Sequence, residues 1–554
     1  MTTLQQIRDM RIAIVALWSL WLTTLLVGGV LWTQKPYYET HPYYYDPAEY
    51  CLEGAKLYQK LPAAGRWHLA WNEWVNNVTH PLQTAVRVLF CPETFRYPYG
   101  HLSVTTPILA ASLFVLAWTL FQRTGSLPYA CAVTALFCAL PQFQDPYWGL
   151  GAYWLDPPAA LLSGSAMLCL MNVKGSRTTG WLVAFSIFAA LAALHRYIAV
   201  IYTLVVCGPI LAWRLVQLSR LHGLIKGGLL PLAAASLPGV LLAGPYLVMH
   251  VHFHIVGYTA VGYALGHSVK DSYLSNSYMF RTFLFSHPFF PWCLAGLFVL
   301  SLFFLWRQNM PHWDSLLISL WLVSAVLLFQ IFVLRAVQAP HVLIYALPGL
   351  FFAFVSPAPI LLNSRRLMTV VSCIIVSIAV IFGTSLHAEA MRSAYELKAR
   401  HEKNFYNSVA EHLIRLGGAR VSWAALFDEC APLPALEVFY RTGVLPVSED
   451  ILCSLSIHES YYKSRFPNTD PAGVCQKVYG RLCATKQIVL AFDNPAAVER
   501  AGFDNEYTKS VACFVAQKVH SDSTVWQWVF SLRHERFGLI SGYKNLSFNG
   551  SNPQ

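Results

Sequence analysis

Residues 12–50 read IAIVALWSLWLTTLLVGGVLWTQKPYYETHPYYYDPAEY, an apolar run from Ile12 to Trp32 that passes through a Tyr-rich polar stretch into Asp46-Pro47-Ala48-Glu49-Tyr50. About 20 apolar residues suffice to cross a bilayer. Arg8 and Arg11 precede the run, and no small-residue cleavage site follows it, so it reads as a retained anchor rather than a signal peptide. The Asp-Pro-x-Glu sequence behind it has the layout of a helix start, with Asp at the N-cap, Pro at the first helical position and Glu at the third.

The rest of the chain repeats the first pattern. Runs of spanning length centre on residues 104–121, 127–141, 156–172, 181–195, 198–213, 228–249, 289–306, 315–334, 342–361 and 367–386, which predicts about eleven transmembrane helices. Residues 1–386 hold 21 Lys/Arg and 11 Asp/Glu, and residues 387–554 hold 18 and 17. A membrane block at 1–386 and a soluble domain at 387–554 are therefore expected, and nearly all of the +11 net charge falls in the block. That charge reads as loop charge at a bilayer, and nucleic-acid binding is disfavoured. A cytoplasmic N-terminus puts Arg123, Lys174, Arg177, Arg214, Arg220, Lys226, Arg307, Arg365 and Arg366 on the inner side. An odd number of spans then exports residues 33–103 and the C-terminal domain. Trp181–Trp213 is read as two short spans turning at His195-Arg196, since one long helix would leave Arg196 at bilayer depth.

In the first outer loop, Pro47–Gln59 and Trp67–Phe90 read as amphipathic helices along the membrane surface. The C-terminal domain begins with a helix over Ala388–Leu416 closed by Gly417-Gly418, followed by strand-like runs at 420–425, 487–492 and 511–519, a small α/β or α+β pattern. No cysteines are spaced C-x-x-C. Six lie in apolar runs as small core residues, and those at 51, 91, 430, 453, 475, 483 and 513 would pair only in an oxidising compartment. Asn77-Val78-Thr79 matches a glycosylation sequon by pattern alone. There is no Walker A sequence, H-E-x-x-H or G-x-S-x-G, and no acid sits at mid-span, so ATP-driven transport, zincin proteolysis, serine hydrolysis and ion-coupled transport lack support.

Several polar residues stand at the predicted outer ends of spans. Asp46 would cap its helix and keep a second carboxylate oxygen free to accept a proton. Asp145 lies in the short outer loop 142–157, beside Asp156, which reads as a plain helix start. His195 and Arg196, with Arg335 and His341, gather imidazole and guanidinium groups suited to an anionic phosphate, although each taken singly reads as a snorkelling residue.

With these residues in view, the chain resembles the GT-C membrane glycosyltransferases, in particular the bacterial set related to protein O-mannosyltransferases and lipid A aminoarabinose transferase. Tyr45-Asp46-Pro47-Ala48-Glu49-Tyr50 with Leu52, Ala55 and Leu57 resembles that set's acidic first-loop motif, although Glu49 stands almost a helical turn from Asp46. Arg96-Tyr97-Pro98-Tyr99-Gly100, Leu194-His195-Arg196-Tyr197, Ala339 to Pro348 with His341 and Tyr345, and Phe439-Tyr440-Arg441-Thr442-Gly443 resemble further family motifs.

The resemblance implies an integral-membrane transferase that moves a hexosyl or pentosyl group from a polyprenyl-phosphate donor to a glycolipid, polysaccharide or protein acceptor outside the cytoplasm, with inversion. It implies Asp46 as base and Glu49, Asp145, His195, Arg196, Arg335, His341 and Tyr345 as substrate-binding residues. Some relatives use a divalent metal, for which Asp46 and Asp145 would offer oxygens. The expected location is a bacterial inner membrane with the C-terminal domain periplasmic, and an endoplasmic reticulum membrane is the alternative. A flippase or transporter for lipid-linked glycans, or an envelope polysaccharide polymerase or ligase, are the competing readings.

Overall fold

A computed structural model describes residues 2–267 apart from short breaks at 41–44, 140–142, 144–148, 154, 174–177, 198 and 201–202, one helical turn at 372–374, and 404–548 apart from 427–431, 447–469, 494–505 and 535–537. The chain divides into two compact units. One comprises residues 1–32, 65–91 and 101–389, and the other 33–64, 92–100 and 390–554.

The first unit is helical throughout its described residues. Helix α1 spans Thr2–Thr40, longer than the apolar run that starts it, and crosses the unit boundary at residue 32. After α2 (Tyr45–Ala64), which belongs to the other unit, come α3 (Arg66–Asn76), α4 (Pro81–Phe90), α5 (Leu102–Thr124), α6 (Leu127–Cys138), α7 (Asp156–Met171), α8 (Thr178–His195), α9 (Gly208–Gly223) and α10 (Leu230–His267). Among the described residues, the stretches Asp9–Trp32, Leu102–Gln122, Thr178–His195 and Thr203–His252 are long and apolar enough to cross a membrane. The chain is an integral membrane protein. The runs at 127–141 and 156–172 form shorter helices, and the four expected spans from 289 onward lie outside the described residues except for the helical turn at 372–374.

Side chains at several helix contacts show why these runs pack as they do. Trp18 Nε1 donates to Thr134 Oγ1 at 3.0 Å and ties α1 to α6. Where α10 crosses α8, the Gly239 N–H donates to Ser186 Oγ at 2.8 Å. A Cβ at Gly239 would lie 2.9 Å from that oxygen and 3.0 Å from the Ser186 carbonyl, so a small residue sets the approach, as is common between membrane helices. Helix α8 ends at His195, and the chain turns at Arg196-Tyr197, where the sequence predicts a break. The expected polar loop at 214–226 is instead helical, interrupted where Gly223 takes φ 78°, ψ 167°. Large apolar side chains exposed along this run, among them Leu221, Leu232, Leu241 and Val248, are those of a lipid-facing helix.

The predicted continuous helix over 67–90 is two helices. Pro81 disfavours helical backbone at His80, and Asn77 turns the chain first. Asp46 lies within α2 rather than at its cap, since Tyr45 before it is already helical, and residues 41–44 lie outside the described residues.

In the second unit, a four-stranded sheet has the order β1-β2-β4-β3, with β1 (Trp423–Ala425) parallel to β2 (Ile488–Phe492) and the other pairings, with β3 (Trp526–His534) and β4 (Gly538–Asn545), antiparallel. Helix α11 (404–417) covers one face, where His412 stacks on Phe530 with centroids 4.2 Å apart. Its C-terminal glycine Gly418 takes φ 72°, the left-handed cap expected of the Gly417-Gly418 pair. On the other face lie α13 (Pro471–Thr485) and α14 (Glu506–Ser521), through Asn545 Nδ2 to the Cys483 carbonyl at 2.7 Å and His520 to Tyr543. This gives a three-layer α/β unit.

The strand expected at 511–519 is helical. Val511, Ala512, Val515, Ala516 and Val519 are buried at a spacing of three to four, a helical stripe that an apolar run of nine residues also permits. The strands at 526–534 and 538–545 were not among the expected ones. Among the described residues no two cysteines are joined in a disulfide.

Candidate functional site

Within the second unit, α2 packs on α12 (Pro432–Thr442), with Tyr58 edge-on to Phe439 at 5.9 Å. A Cβ at Gly54 would sit 2.6 Å from the Phe95 ring, so α2 lies flush on the short helix Pro92–Arg96. Tyr58 donates to Glu93 Oε2 at 3.1 Å, and burial, with the Glu93 carboxylate, raises the Tyr58 phenol above its usual range. The Arg96 guanidinium lies 3.8 Å from where a Cβ on Gly443 would be, just past the C-terminal end of α12, where a helix favours a cation. Three stretches singled out in the sequence, Asp46–Leu57, Arg96–Gly100 and Phe439–Gly443, thus belong to this unit. Glu49 is exposed on α2.

Of the other expected site residues, His195 and Arg196 stand in the first unit. Asp145, Arg335, His341 and Tyr345 lie outside the described residues. Among the described residues no three His, Cys, Asp or Glu side chains are grouped to hold a metal, and of the two acids expected to serve one, Asp145 lies outside those residues.

What surrounds His195 and Arg196 was only partly anticipated. The α3–α4 turn is built by Asn77, whose Oδ1 accepts from Thr79 N, Thr79 Oγ1 and His80 N at 3.0 Å each, while its Nδ2 donates to Glu73 Oε2 at 2.8 Å. This amide is a turn-former, which is the structural meaning of the sequon pattern. Helix α10 holds the same turn. Tyr246 Oη donates to the Val78 carbonyl at 2.8 Å, the His250 ring to the Val75 carbonyl at 2.9 Å, and Trp74 Nε1 to the Leu242 carbonyl at 3.0 Å.

Helix α4 is buried on nearly every side and carries Arg87 inward, at 2% exposure. Arg87 Nη1 donates to Tyr153 Oη at 2.9 Å. Tyr153, also at 2%, has left-handed backbone (φ 59°, ψ 24°), which costs a side-chain-bearing residue about 1–2 kcal/mol and is held only where the surroundings require it. His101 stacks on the Tyr153 ring at 4.4 Å and 7°, and its Nε2 bonds the Leu150 carbonyl at 3.0 Å, which places the ring proton there. Gln83 Nε2 donates to the His101 carbonyl at 2.9 Å.

His80 stands edge-on to Tyr153 at 6.5 Å. Its Nδ1 lies 2.5 Å from Thr79 Oγ1, whose own proton goes to Asn77. Burial first, then the neighbouring His195, Arg87 and Arg196, push the His80 imidazole down to about 3. His195 is fully buried, lies near Arg196 and His101, and neither ring nitrogen has a hydrogen-bond partner among the described residues.

The result is a buried set of His80, His101 and Arg87 about Tyr153, with His195 and half-buried Arg196 near His80. Such a group suits a desolvated anion. Sequence reasoning missed Arg87, His80, His101 and Tyr153. The one local signal was an arginine inside the apolar helix PLQTAVRVLF, where a cation needs a partner.

No family model matches the chain, and no curated protein does. Among solved structures, the chain is similar to ArnT from Cupriavidus metallidurans bound to undecaprenyl phosphate, with a TM-score of 0.54 and 12% identity over 96% of this chain and 99% of that one. The apo state of the same protein gives 0.52 and 13%, with the same coverage. At that identity the likeness shows a shared fold, and it is the GT-C fold that the sequence motifs resemble.

Proposed function

We propose that the protein is a membrane glycosyltransferase that takes a sugar from a polyprenyl-phosphate carrier and passes it to an acceptor outside the cytoplasm. The observation that carries this reading is the end-to-end fold likeness to a protein solved with undecaprenyl phosphate, together with the expected pair His195 and Arg196, which stand near buried His80 and Arg87. In this reading Asp46 is the base.

The acceptor hydroxyl gives its proton to Asp46 while its oxygen attacks the anomeric carbon. The bond from that carbon to the phosphate oxygen breaks, the carrier phosphate leaves with the electron pair, and the configuration inverts. Arg196, with Arg335, His341 and Tyr345, meets the charge that develops on the phosphate, and Glu49 and Asp145 bind the sugar or acceptor. The C-terminal domain lies on the same side of the membrane as residues 33–103.

The test offers purified wild type and Asp46→Asn a panel of polyprenyl-phosphate sugars at matched folding. Consumption of one donor by wild type alone is the expected result. Equal consumption by both would remove Asp46 from the chemistry, and consumption of none by wild type would favour a flippase.

A further inference from the structure

Between α9 and α10 the chain bends at Gly223, whose φ 78°, ψ 167° is open to glycine and strained for other residues. The next turns, Leu224–Leu229, are π-helical and fold back on the end of α9. A Cβ on Gly227 would overlap the Leu218 carbonyl, and one on Gly228 would lie 2.7 Å from Ser219 Oγ, so two glycines let the backbones meet and fix the bend. Every residue of the tip, Arg220-Leu221-His222-Gly223-Leu224-Ile225-Lys226, is exposed.

The tip mixes two kinds of side chain that water would not favour side by side. Leu221 and Leu224 are 74% and 72% exposed, and Ile225 is close behind. Arg220, His222 and Lys226 stand among them, and no acid occurs in the sequence between Asp156 and Asp271. Among the described residues neither Arg220 nor Lys226 is ion-paired. Such a mixture fits the boundary of a bilayer, where the leucines enter the acyl layer and the cations stay among the headgroups.

The length of α10 sets where the tip lies. From Leu230 to His250 a helix rises about 30 Å, roughly the thickness of the hydrocarbon core. Tyr246 and His250 are tied to the α3–α4 turn, so the tip stands at the membrane face opposite that turn. Basic groups at a membrane face attract anionic lipids, whose phosphate charge no headgroup ammonium offsets.

We propose that the α9–α10 tip binds anionic phospholipid headgroups, with Arg220 and Lys226 on the phosphate and Leu221, Leu224 and Ile225 beside the acyl chains. Bound lipid then fixes the depth of the tip in its leaflet. This surface is separate from the residues about Tyr153 and stands whether or not the carrier reading does.

The test is native mass spectrometry of the full-length chain released from micelles that hold equal amounts of dioleoylphosphatidylglycerol and dioleoylphosphatidylcholine, with the retained lipids of each kind counted. Wild type should favour the anionic lipid, and Arg220→Gln and Lys226→Gln should each lower that preference roughly fivefold. Higher ammonium acetate should weaken it too, because exposed charges are screened. Arg420→Gln/Arg533→Gln removes the same charge from exposed sites in the second unit and should leave the preference unchanged. Equal retention of the two lipids by wild type overturns the inference, and that comparison needs no variant. A preference that survives in Arg220→Gln/Lys226→Gln, or falls equally in the control, also overturns it. So does undecaprenyl phosphate that displaces phosphatidylglycerol from wild type and fails to bind the tip variant, which would assign the tip to the carrier.

Discussion

The hydrogen bond from Arg87 to Tyr153 is the most direct handle on the buried cluster. Tyr153→Phe removes one oxygen and leaves the ring in place, so the stack on His101 and the guanidinium 5.7 Å over the ring centroid both persist. What is lost is a 2.9 Å bond from a charged donor, with both partners at 2% exposure. A hydrogen bond to a charged group contributes about 1.5–3 kcal/mol net, so the pair should be coupled by about 2 kcal/mol.

A double-mutant cycle with Arg87→Met isolates that energy from the packing each residue supplies. The assay is thermal unfolding of wild type, Tyr153→Phe, Arg87→Met and the double variant in one detergent. With a shift of about 2–4 °C per kcal/mol for a unit of this size, the double variant should lie roughly 4–8 °C above the additive expectation. Additivity within about 0.5 kcal/mol would refute the idea that this bond organises the cluster.

The turn before α4 and the histidine that follows it give further expectations. Asn77→Ala orphans two backbone N–H groups and the Glu73 carboxylate's amide donor, and should cost about 2 kcal/mol in protein that carries no glycan. An unchanged unfolding midpoint would mean that the amide serves only as part of a sequon. His80 is held neutral, with its folded value near 3 against 6.5 for the free side chain, so the unfolded chain binds the extra proton first as pH falls. Stability should be full above pH 6.5 and decline between 6.5 and about 3, by about 2 kcal/mol from pH 7 to pH 5. Unfolding midpoints across that range check this, and a His80→Gln protein should show a shallower decline.

Much of the architecture is legible in the sequence because it rests on short-range rules. Apolar runs of spanning length, the break at His195-Arg196, the helix that carries Asp46-Pro47-Ala48-Glu49 and the cap at Gly417-Gly418 all depend on residues within a few positions of one another. Where local rules permit two answers, packing chose. The run Val511–Val519 suits a strand or a helix, and it became a helix because its stripe at three-to-four spacing meets the sheet and α13.

The cluster itself belongs to tertiary structure alone. Arg87 meets Tyr153 across 66 residues, His101 meets Leu150 across 49, and Tyr246 meets Val78 across 168. No local pattern marks Tyr153 for left-handed backbone, since a tyrosine adopts it only when partners on several helices hold it there. His195 and Arg196 could be singled out from their place at a helix end. That they lie near two further histidines, His80 and His101, follows from how α4, α5, α8 and α10 close together, because burial removes the water that would otherwise have separated those groups.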